Sequence, residues 1–174
     1  MAISTAPPCK PATHIVERAA HYNVSPGSSP AFIAYSGTVS RLTIQHNTWG
    51  VGIGDIPYRI TIPYRRVGKP TGNISVGIRK AVDDSFQLIA EWPVSEPRDI
   101  GLITINVEGS VNNYQMVAND KTSIEYPPSA TDTIEIACSS GLASGFTSQQ
   151  YTDSYAAIAN PLAVKITSKV LVPI

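Results

Sequence analysis

The fold class of this chain is decided by the stretch Tyr58–Ser85, which reads YRITIPYRRVGKPTGNISVGIRKAVDDS. Apolar and polar residues alternate on both sides of a Gly-Lys-Pro-Thr-Gly turn, and the stretch ends in an Asp-Asp-Ser turn. A period of two is typical of antiparallel strands that bury one face. We therefore predict that a tight, hairpin-type turn at Gly68–Gly72 joins two strands that share a core. The side chains expected in that core are Ile60, Ile62, Ile74, Val76 and Ile78.

The rest of the chain continues this pattern, with short alternating segments between breaks rich in Gly, Pro, Asn and Asp. Many short strands with frequent turns indicate a β-sandwich or a barrel. We predict an all-β protein in which residues 31–174 form a single jelly-roll-like antiparallel β-sandwich, with one long loop at Ser139–Pro161. The predicted strands are Phe32–Tyr35, Val39–His46, Tyr58–Arg65, Asn73–Lys80, Phe86–Val94, Gly101–Glu108, Tyr114–Ala118, Thr122–Tyr126, Thr133–Cys138 and Ala163–Val172.

Residues 1–30 differ in composition, because they contain five of the fourteen prolines together with Ser, Thr and Ala. Proline lacks an N–H and disfavours helix in the residue before it, so we predict a Pro-rich N-terminal arm that is extended or irregular. Within it, Thr13–Tyr22 has the composition of a short helical turn. A disordered tail is the alternative to an arm that packs on its own domain or on a neighbour. The candidate anchors of such an arm are Ile3, Ile15, Val16, Tyr22 and Val24.

The charge balance argues against two classes of partner. Thirteen basic and thirteen acidic residues cancel, and charged residues are 15% of the chain, below the usual share of about a quarter. A neutral surface has no long-range attraction for nucleic acid or for an anionic membrane. We find neither the apolar core of a secretory signal nor a stretch that could cross a bilayer, so we expect no membrane insertion. Low charge instead suits a surface covered by copies of the chain or by other assembly proteins.

Residues that could carry out chemistry form no recognisable constellation in the sequence. The glycine-rich segment Gly50–Asp55 leads into a strand pattern rather than a helix, which disfavours a phosphate-binding loop. His14, His21 and His46 lack the spacing of zinc ligands, and no serine lies in a Gly-x-Ser-x-Gly motif. We therefore expect a protein that is not an enzyme and that holds no cofactor.

Two predicted turns carry oxygen ligands of the kind that calcium prefers. Asp83 and Asp84 are adjacent in one turn, and Asn119 and Asp120 are adjacent in another. The folded chain could bring these side chains together at a weak calcium site. The alternative is that these turns only solvate the strand ends.

The two cysteines, Cys9 and Cys138, lie far apart in the sequence and lack the spacing of metal ligands. Two free or buried thiols are the simpler interpretation. A disulfide that ties the N-terminal arm to a late strand is the alternative, and it requires an oxidising compartment.

Three aromatic residues fall in predicted loops, where large rings often mark contacts. Trp49 lies in a glycine-rich loop, and Tyr151 and Tyr155 lie in the long loop. Exposed rings of this kind anchor protein interfaces or stack on sugars. Because no aromatic row follows one strand face, we predict an interface at these residues, with a bound glycan as the alternative. Trp92 is in phase with its apolar strand neighbours and is predicted to lie in the core.

The stretch Tyr64–Ser85, together with NDKTSIEYPPSATDTIEI at Asn119–Ile136, resembles a jelly-roll-like β-sandwich module of archaeal and bacterial surface proteins and virion structural proteins. In that module a Val-Gly…Pro-Thr-Gly hairpin leads into a strand with an outward Arg and an Asp-rich turn. A later strand of the module ends in Glu-Tyr, which Glu125-Tyr126 match here. The resemblance covers roughly Arg59–Ile136, and it implies a sandwich that binds sugars or serves as a spacer or coat component.

Together these features favour a non-enzymatic structural assembly subunit, located in a virion as a capsid coat, decoration, turret or fibre component. Its expected partners are copies of itself and other assembly proteins, and we expect no nucleic acid among them. The alternative is a carbohydrate-binding or adhesive β-sandwich module that is extracellular or on a cell surface. The low charge and the arm favour the first interpretation.

Overall fold

The computed structural model describes residues 13–18, 32–35, 38–47, 54, 56–95, 100–106, 114–127, 132–138, 146–158 and 162–171. These residues form two antiparallel β-sheets packed face to face, with no helix among them, so the predicted all-β sandwich is confirmed. The strands are β1 (Thr13–Arg18), β2 (Phe32–Ala34), β3 (Arg41–His46), β4 (Ile56–Val67), β5 (Asn73–Arg79), β6 (Phe86–Pro93), β7 (Ile100–Asn106), β8 (Lys121–Glu125), β9 (Thr133–Ala137), β10 (Phe146–Tyr151), β11 (Tyr155–Ala157) and β12 (Lys165–Leu171).

Sheet A is built around β4, the longest described strand. One edge of β4 pairs with β7, while its other edge pairs with β12 over the first half of the strand and with β9 near its end. β1 extends this sheet beyond β12, and β2 extends it beyond β9. Sheet B has the order β11-β10-β3-β8-β5-β6. The pairings in both sheets are antiparallel, as expected for strands that bury one face.

The strands from β2 to β9 pair in a nested order. β5 pairs with β6, β4 with β7, β3 with β8 and β2 with β9, so each pair encloses the preceding pair along the chain. Successive pairs alternate between the two sheets. The pairings of β4 with β9 and of β5 with β8 join the pairs within each sheet. The remaining strands, β1, β10, β11 and β12, widen the sheets.

The core lies between the sheets and is filled mainly by β-branched side chains at alternate strand positions. Burying one such side chain contributes about 1.5–3 kcal/mol to the free energy of unfolding. Trp92, predicted to lie in the core, is partly buried and packs against it, whereas Leu88, which shares its sequence phase, is exposed because the β5–β6 pairing shifts register between them. The predicted buried faces of β4 and β5 are confirmed, because the core residues named from the sequence are all 0% exposed: Ile60, Ile62, Ile74, Val76 and Ile78.

The turn at Gly68–Gly72 connects the two sheets, and the prediction of a hairpin was wrong. β4 lies in sheet A and β5 in sheet B, so the chain crosses the sandwich at this turn. Gly68 and Gly72 have φ of 75° and 91°, a region that favours glycine. The Tyr126 hydroxyl donates to the Thr71 carbonyl at 2.9 Å and holds the turn. Alternation identifies the buried face of a strand but not its partner, which is why the sequence suggested a hairpin.

Three segments have a secondary structure that the sequence did not predict. Thr13–Arg18, predicted as part of a helical turn, is strand β1, whose backbone pairs with β12. Tyr114–Ala118, predicted as a strand, is irregular, because the Val117 N–H donates to the Asp120 carboxylate at 2.8 Å instead of to a neighbouring strand. The predicted loop Ser139–Pro161 contains β10, which pairs with β3, and β11, which pairs with β10. Their polar sequence lacks the apolar alternation that marks the other strands.

Candidate functional site

The outer face of sheet B carries a cluster of charged and aromatic side chains. The alternation that buries one face of β3 and β8 turns Arg41 and Glu125 outward, and the register sets them opposite each other. On the other side of β3, Arg41 lies opposite Tyr151, which lies opposite Tyr155. The turn between β5 and β6 adds an aspartate to this row. We call the group the Asp84 cluster, and its members are Arg41, Arg79, Asp84, Lys121, Glu125, Tyr151 and Tyr155.

Arg79 is held by a bidentate ion pair within this cluster. Its Nε and Nη2 atoms donate to the two carboxylate oxygens of Glu125 at 2.7 and 3.0 Å. Its Nη1 atom donates to the backbone carbonyl of Asp84 at 2.7 Å, and its guanidinium lies 5.0 Å from the centroid of the Phe86 ring. Burial lowers the pKa of Arg79, but the hydrogen bond to Glu125 and the charge of Glu125 raise it overall. Arg79 therefore stays a cation although it is buried, with only 8% of its surface exposed.

Asp84 joins the β5–β6 turn to the rest of the cluster. Its φ of 55° is a left-handed conformation that Asp tolerates better than most residues. Its carboxylate accepts a hydrogen bond from Lys121 Nζ at 3.1 Å and lies 3.5 Å from both Arg41 Nη1 and Arg79 Nη1. The Tyr155 hydroxyl donates to the same carboxylate, at 2.9 and 3.0 Å from its two oxygens. One carboxylate thus gathers three cations and a phenol.

The two tyrosines of the cluster pack against each other and against cations. Their rings meet edge to face, with centroids 4.9 Å apart and an interplanar angle of 60°. The Arg41 guanidinium lies 4.1 Å from the centroid of the Tyr151 ring, and the Lys121 ammonium lies 4.3 Å from that of the Tyr155 ring. Burial, and then the hydrogen bond to Asp84, raise the pKa of Tyr155 to about 12. Tyr155 is therefore a neutral hydrogen-bond donor at neutral pH.

The chemistry open to the Asp84 cluster follows from these contacts. The Tyr155 phenol has a raised pKa and stays protonated at neutral pH, which makes it a poor base and a poor nucleophile. The carboxylates of Asp84 and Glu125 already accept hydrogen bonds from cations. The contacts of the cluster join strands and turns to one another. They attach the β10–β11 hairpin and the β5–β6 turn to the outer faces of β3 and β8.

The predicted calcium site has no support among the described residues. Asp84 faces three cations, which repel a divalent metal ion. Asp83 accepts a hydrogen bond from the Ser85 N–H at 2.9 Å, and the hydrogen bonds from Ser85 lower the pKa of Asp83. No group of three His, Cys, Asp or Glu side chains in the described part of the chain is arranged to hold a metal ion. Asp83 is exposed at its turn, as the alternative interpretation holds, whereas Asp120 is buried and does not face solvent.

Asp120 organises a separate structural centre at one end of the sandwich. It is 0% exposed, and its carboxylate accepts hydrogen bonds from the Ala81 N–H at 2.9 Å, the Val117 N–H at 2.8 Å and the Tyr114 hydroxyl at 2.8 Å. Burial, followed by this hydrogen bond, raises the pKa of Tyr114 to about 12. The buried carboxylate holds the irregular segment after β7 against the β5–β6 turn, and three hydrogen-bond donors already occupy its oxygens.

The other residues singled out in the sequence fall outside the Asp84 cluster. Ile15 and Val16 lie on β1, where their backbones pair with β12, so this part of the arm packs on its own domain. Cys138 is buried, burial raises its pKa to about 11, and it forms no disulfide among the described residues. The remaining predicted residues lie outside the described residues: Ile3, Cys9, Tyr22, Val24 and Trp49.

Sequence reasoning named Asp84, Tyr151 and Tyr155 but missed their partners. Arg41, Arg79, Lys121 and Glu125 carry a weak signal, since each occupies the polar phase of an otherwise apolar strand. That phase places them on one face of a sheet. It does not indicate which strands are neighbours, and strand order is what brings these charges together.

Comparisons of the chain with protein-family models, with curated proteins and with solved structures found no match. Within the described part of the chain, no helix is long and apolar enough to span a membrane. The strand pairing and the Asp84 cluster are therefore the starting points for a functional proposal.

Proposed function

We propose that this protein is a non-enzymatic structural subunit of a larger assembly, specifically a virion coat, decoration, turret or fibre component built on a jelly roll. The nested pairing of β2 with β9, β3 with β8, β4 with β7 and β5 with β6 carries the proposal. A chain folded back on itself in this way, over two sheets, supports our proposal of a double-sheet jelly roll, a fold of viral capsid and lectin domains. The partners are copies of the chain and other assembly proteins.

The surface composition supports an assembly role over a solitary one. Charged residues are 15% of the chain and cancel in sign, so little electrostatic repulsion opposes contact between copies. Val82 and Val117 are 87% and 51% exposed, and both adjoin backbone held by the Asp120 carboxylate. Exposed apolar side chains on a fixed backbone cost little conformational entropy when they are covered by a partner.

The Asp84 cluster favours an assembly subunit over a carbohydrate-binding module. A sugar stacks on the open face of an aromatic ring. Tyr151 and Tyr155, for which sugar stacking was the alternative to a predicted interface, already pack against each other and against Arg41 and Lys121. A carbohydrate-binding or adhesive module on a cell surface is thus the second candidate, and its binding site would have to lie elsewhere.

The proposal is tested by the mass distribution of the purified full-length chain. Sedimentation velocity and negative-stain electron microscopy over a series of protein concentrations should show discrete particles that contain many copies. A chain that stays monomeric at every concentration would contradict the assembly role. If that monomer also bound defined oligosaccharides on a glycan array, the carbohydrate-binding alternative would replace it.

A further inference from the structure

We infer that the free edge of β7 is a contact between two copies of this chain, which join their A sheets strand to strand around a two-fold axis. This inference rests on the proposed assembly role and names the surface and the partner. β7 pairs with β4 on one side, and no strand among the described residues pairs with its other side. With respect to the described residues, the N–H and C=O groups along that side are available to a further strand.

The outer strands of the two sheets differ in how far their sequences protect them from such contacts. Edge strands are normally kept apart by short length, charge, proline or bulges. β2 and β11 have three residues each, the sequence of β1 includes Glu17 and Arg18, and β6 contains Glu91, Pro93 and a register shift. β7, with the sequence IGLITIN, has none of these features.

The geometry of β7 suits the addition of a strand. Its seven residues pair with β4 without a register shift, from Ile100 opposite Arg65 to Asn106 opposite Arg59. Its inward side chains Ile103 and Ile105 are 0% and 5% exposed and fix the strand on the core. A regular strand anchored in this way presents the alternating close and wide pairs of backbone groups that an antiparallel partner strand matches.

Charge decides in favour of a second copy as the occupant. A two-fold axis places a strand antiparallel to itself, so any charge near the axis meets an equal charge. β7 has no charged residue, and this self-pairing therefore carries no repulsion between its own side chains. On the outer face, Leu102 is 56% exposed, and the same pairing would cover it with the facing strand of the partner.

Lysine substitutions on the exposed side chains of β7 test the inference. Leu102→Lys and Thr104→Lys place charges next to the proposed axis without entering the core, because both side chains are exposed. The concentration of half-association, measured by sedimentation, should rise on the order of tenfold or more in each variant. The matched control is Leu88→Lys on the protected edge strand β6, where the native side chain is 46% exposed, and its association should equal that of the wild type. Circular dichroism and thermal unfolding check that every variant is folded.

A charge-reversal pair makes the result specific to contact between copies. Thr104→Lys and Thr104→Glu chains should each associate weakly alone, while an equimolar mixture should recover association as opposite charges meet across the axis. If folded Leu102→Lys and Thr104→Lys variants associate as the wild type does, the inference about β7 is overturned and the assembly role stands. If the wild type itself never associates, the assembly role is contradicted and the inference is overturned with it.

Discussion

At the scale of single residues, the Tyr155 phenol couples stability to pH. In the folded protein its pKa is raised to about 12, first by burial and then by the hydrogen bond to Asp84. In the unfolded chain a tyrosine ionises at about pH 10. Between these two values the unfolded state binds fewer protons than the native state. The contribution of Tyr155 to stability is therefore complete below about pH 10 and is lost as the pH rises toward about 12.

This coupling predicts an outcome for the substitution Asp84→Asn. Asparagine tolerates the φ of 55° but removes the charge, so the pKa of Tyr155 should fall from about 12 toward the ordinary tyrosine value. The measurement is a titration of tyrosinate absorbance, with Tyr155→Phe identifying the signal of this residue. Asp153→Asn, at an exposed aspartate in the turn between β10 and β11, is the control and should leave the titration unchanged. A Tyr155 that titrates at its ordinary value in the wild type would refute the coupling.

The sequence named individual residues of this cluster but not the cluster itself. Asp84 was proposed as a metal ligand and Tyr155 as an exposed contact, yet they bind each other across 71 residues of sequence. Their meeting depends on the β10–β11 hairpin, whose Ser- and Gln-rich sequence gives no strand signal. Because the sequence does not predict this hairpin, it could not predict the contact between Asp84 and Tyr155.

At the scale of elements, the β5–β6 hairpin depends on a glycine with no room for a side chain. The pairing shifts register at Gly77, and the Phe86 ring lies over it. A Cβ at this position would meet the ring at 2.6 Å and also press on the backbone carbonyl of Gln87, which cannot move without breaking the pairing. We predict that Gly77→Ala lowers the free energy of unfolding by about 1–3 kcal/mol.

Urea unfolding followed by circular dichroism measures the effect of Gly77→Ala. Ser75→Ala, two positions earlier on the same face of β5, is the matched control and should change the free energy of unfolding by less than about 0.5 kcal/mol. Equal unfolding midpoints for Gly77→Ala and the wild type would show that the hairpin relaxes around the added methyl group.

Elements and their buried faces were largely predictable, whereas their partners were not. The alternation in Tyr58–Ser85 located β4 and β5 to within a few residues and identified their core side chains. It suggested that the two strands were neighbours, but they lie in different sheets. Alternation reports which face is apolar, and pairing depends on contacts between strands that are distant in sequence.

At the scale of the whole molecule, the position of β1 determines which deletions can test the N-terminal arm without disturbing the sandwich. β1 is part of sheet A through its pairing with β12, so removal of residues 2–24 would take a strand from the sandwich. Removal of residues 2–12 leaves β1 in place. If the arm contributes to assembly, we predict that the shorter deletion unfolds at the wild-type temperature but assembles at higher concentration. Normal assembly of this variant, measured by sedimentation, would show that the arm has no such role.

The nested strand pairing also dictates when the chain can fold during its synthesis. Its innermost hairpin, β5–β6, closes over a short turn, whereas the hydrogen bond from the Thr133 hydroxyl to the Tyr35 carbonyl spans 98 residues. Closing a long loop is less costly after the pairs inside it have formed, so we expect pairing to proceed from β5–β6 outward. β8 lies between β3 and β5, β9 lies between β2 and β4, and β10 and β12 pair with β3 and β4, so neither sheet is complete until these late strands have left the ribosome. Until then the apolar faces of β3, β4 and β5 stay uncovered in the nascent chain, and this is the interval in which a chaperone would be needed.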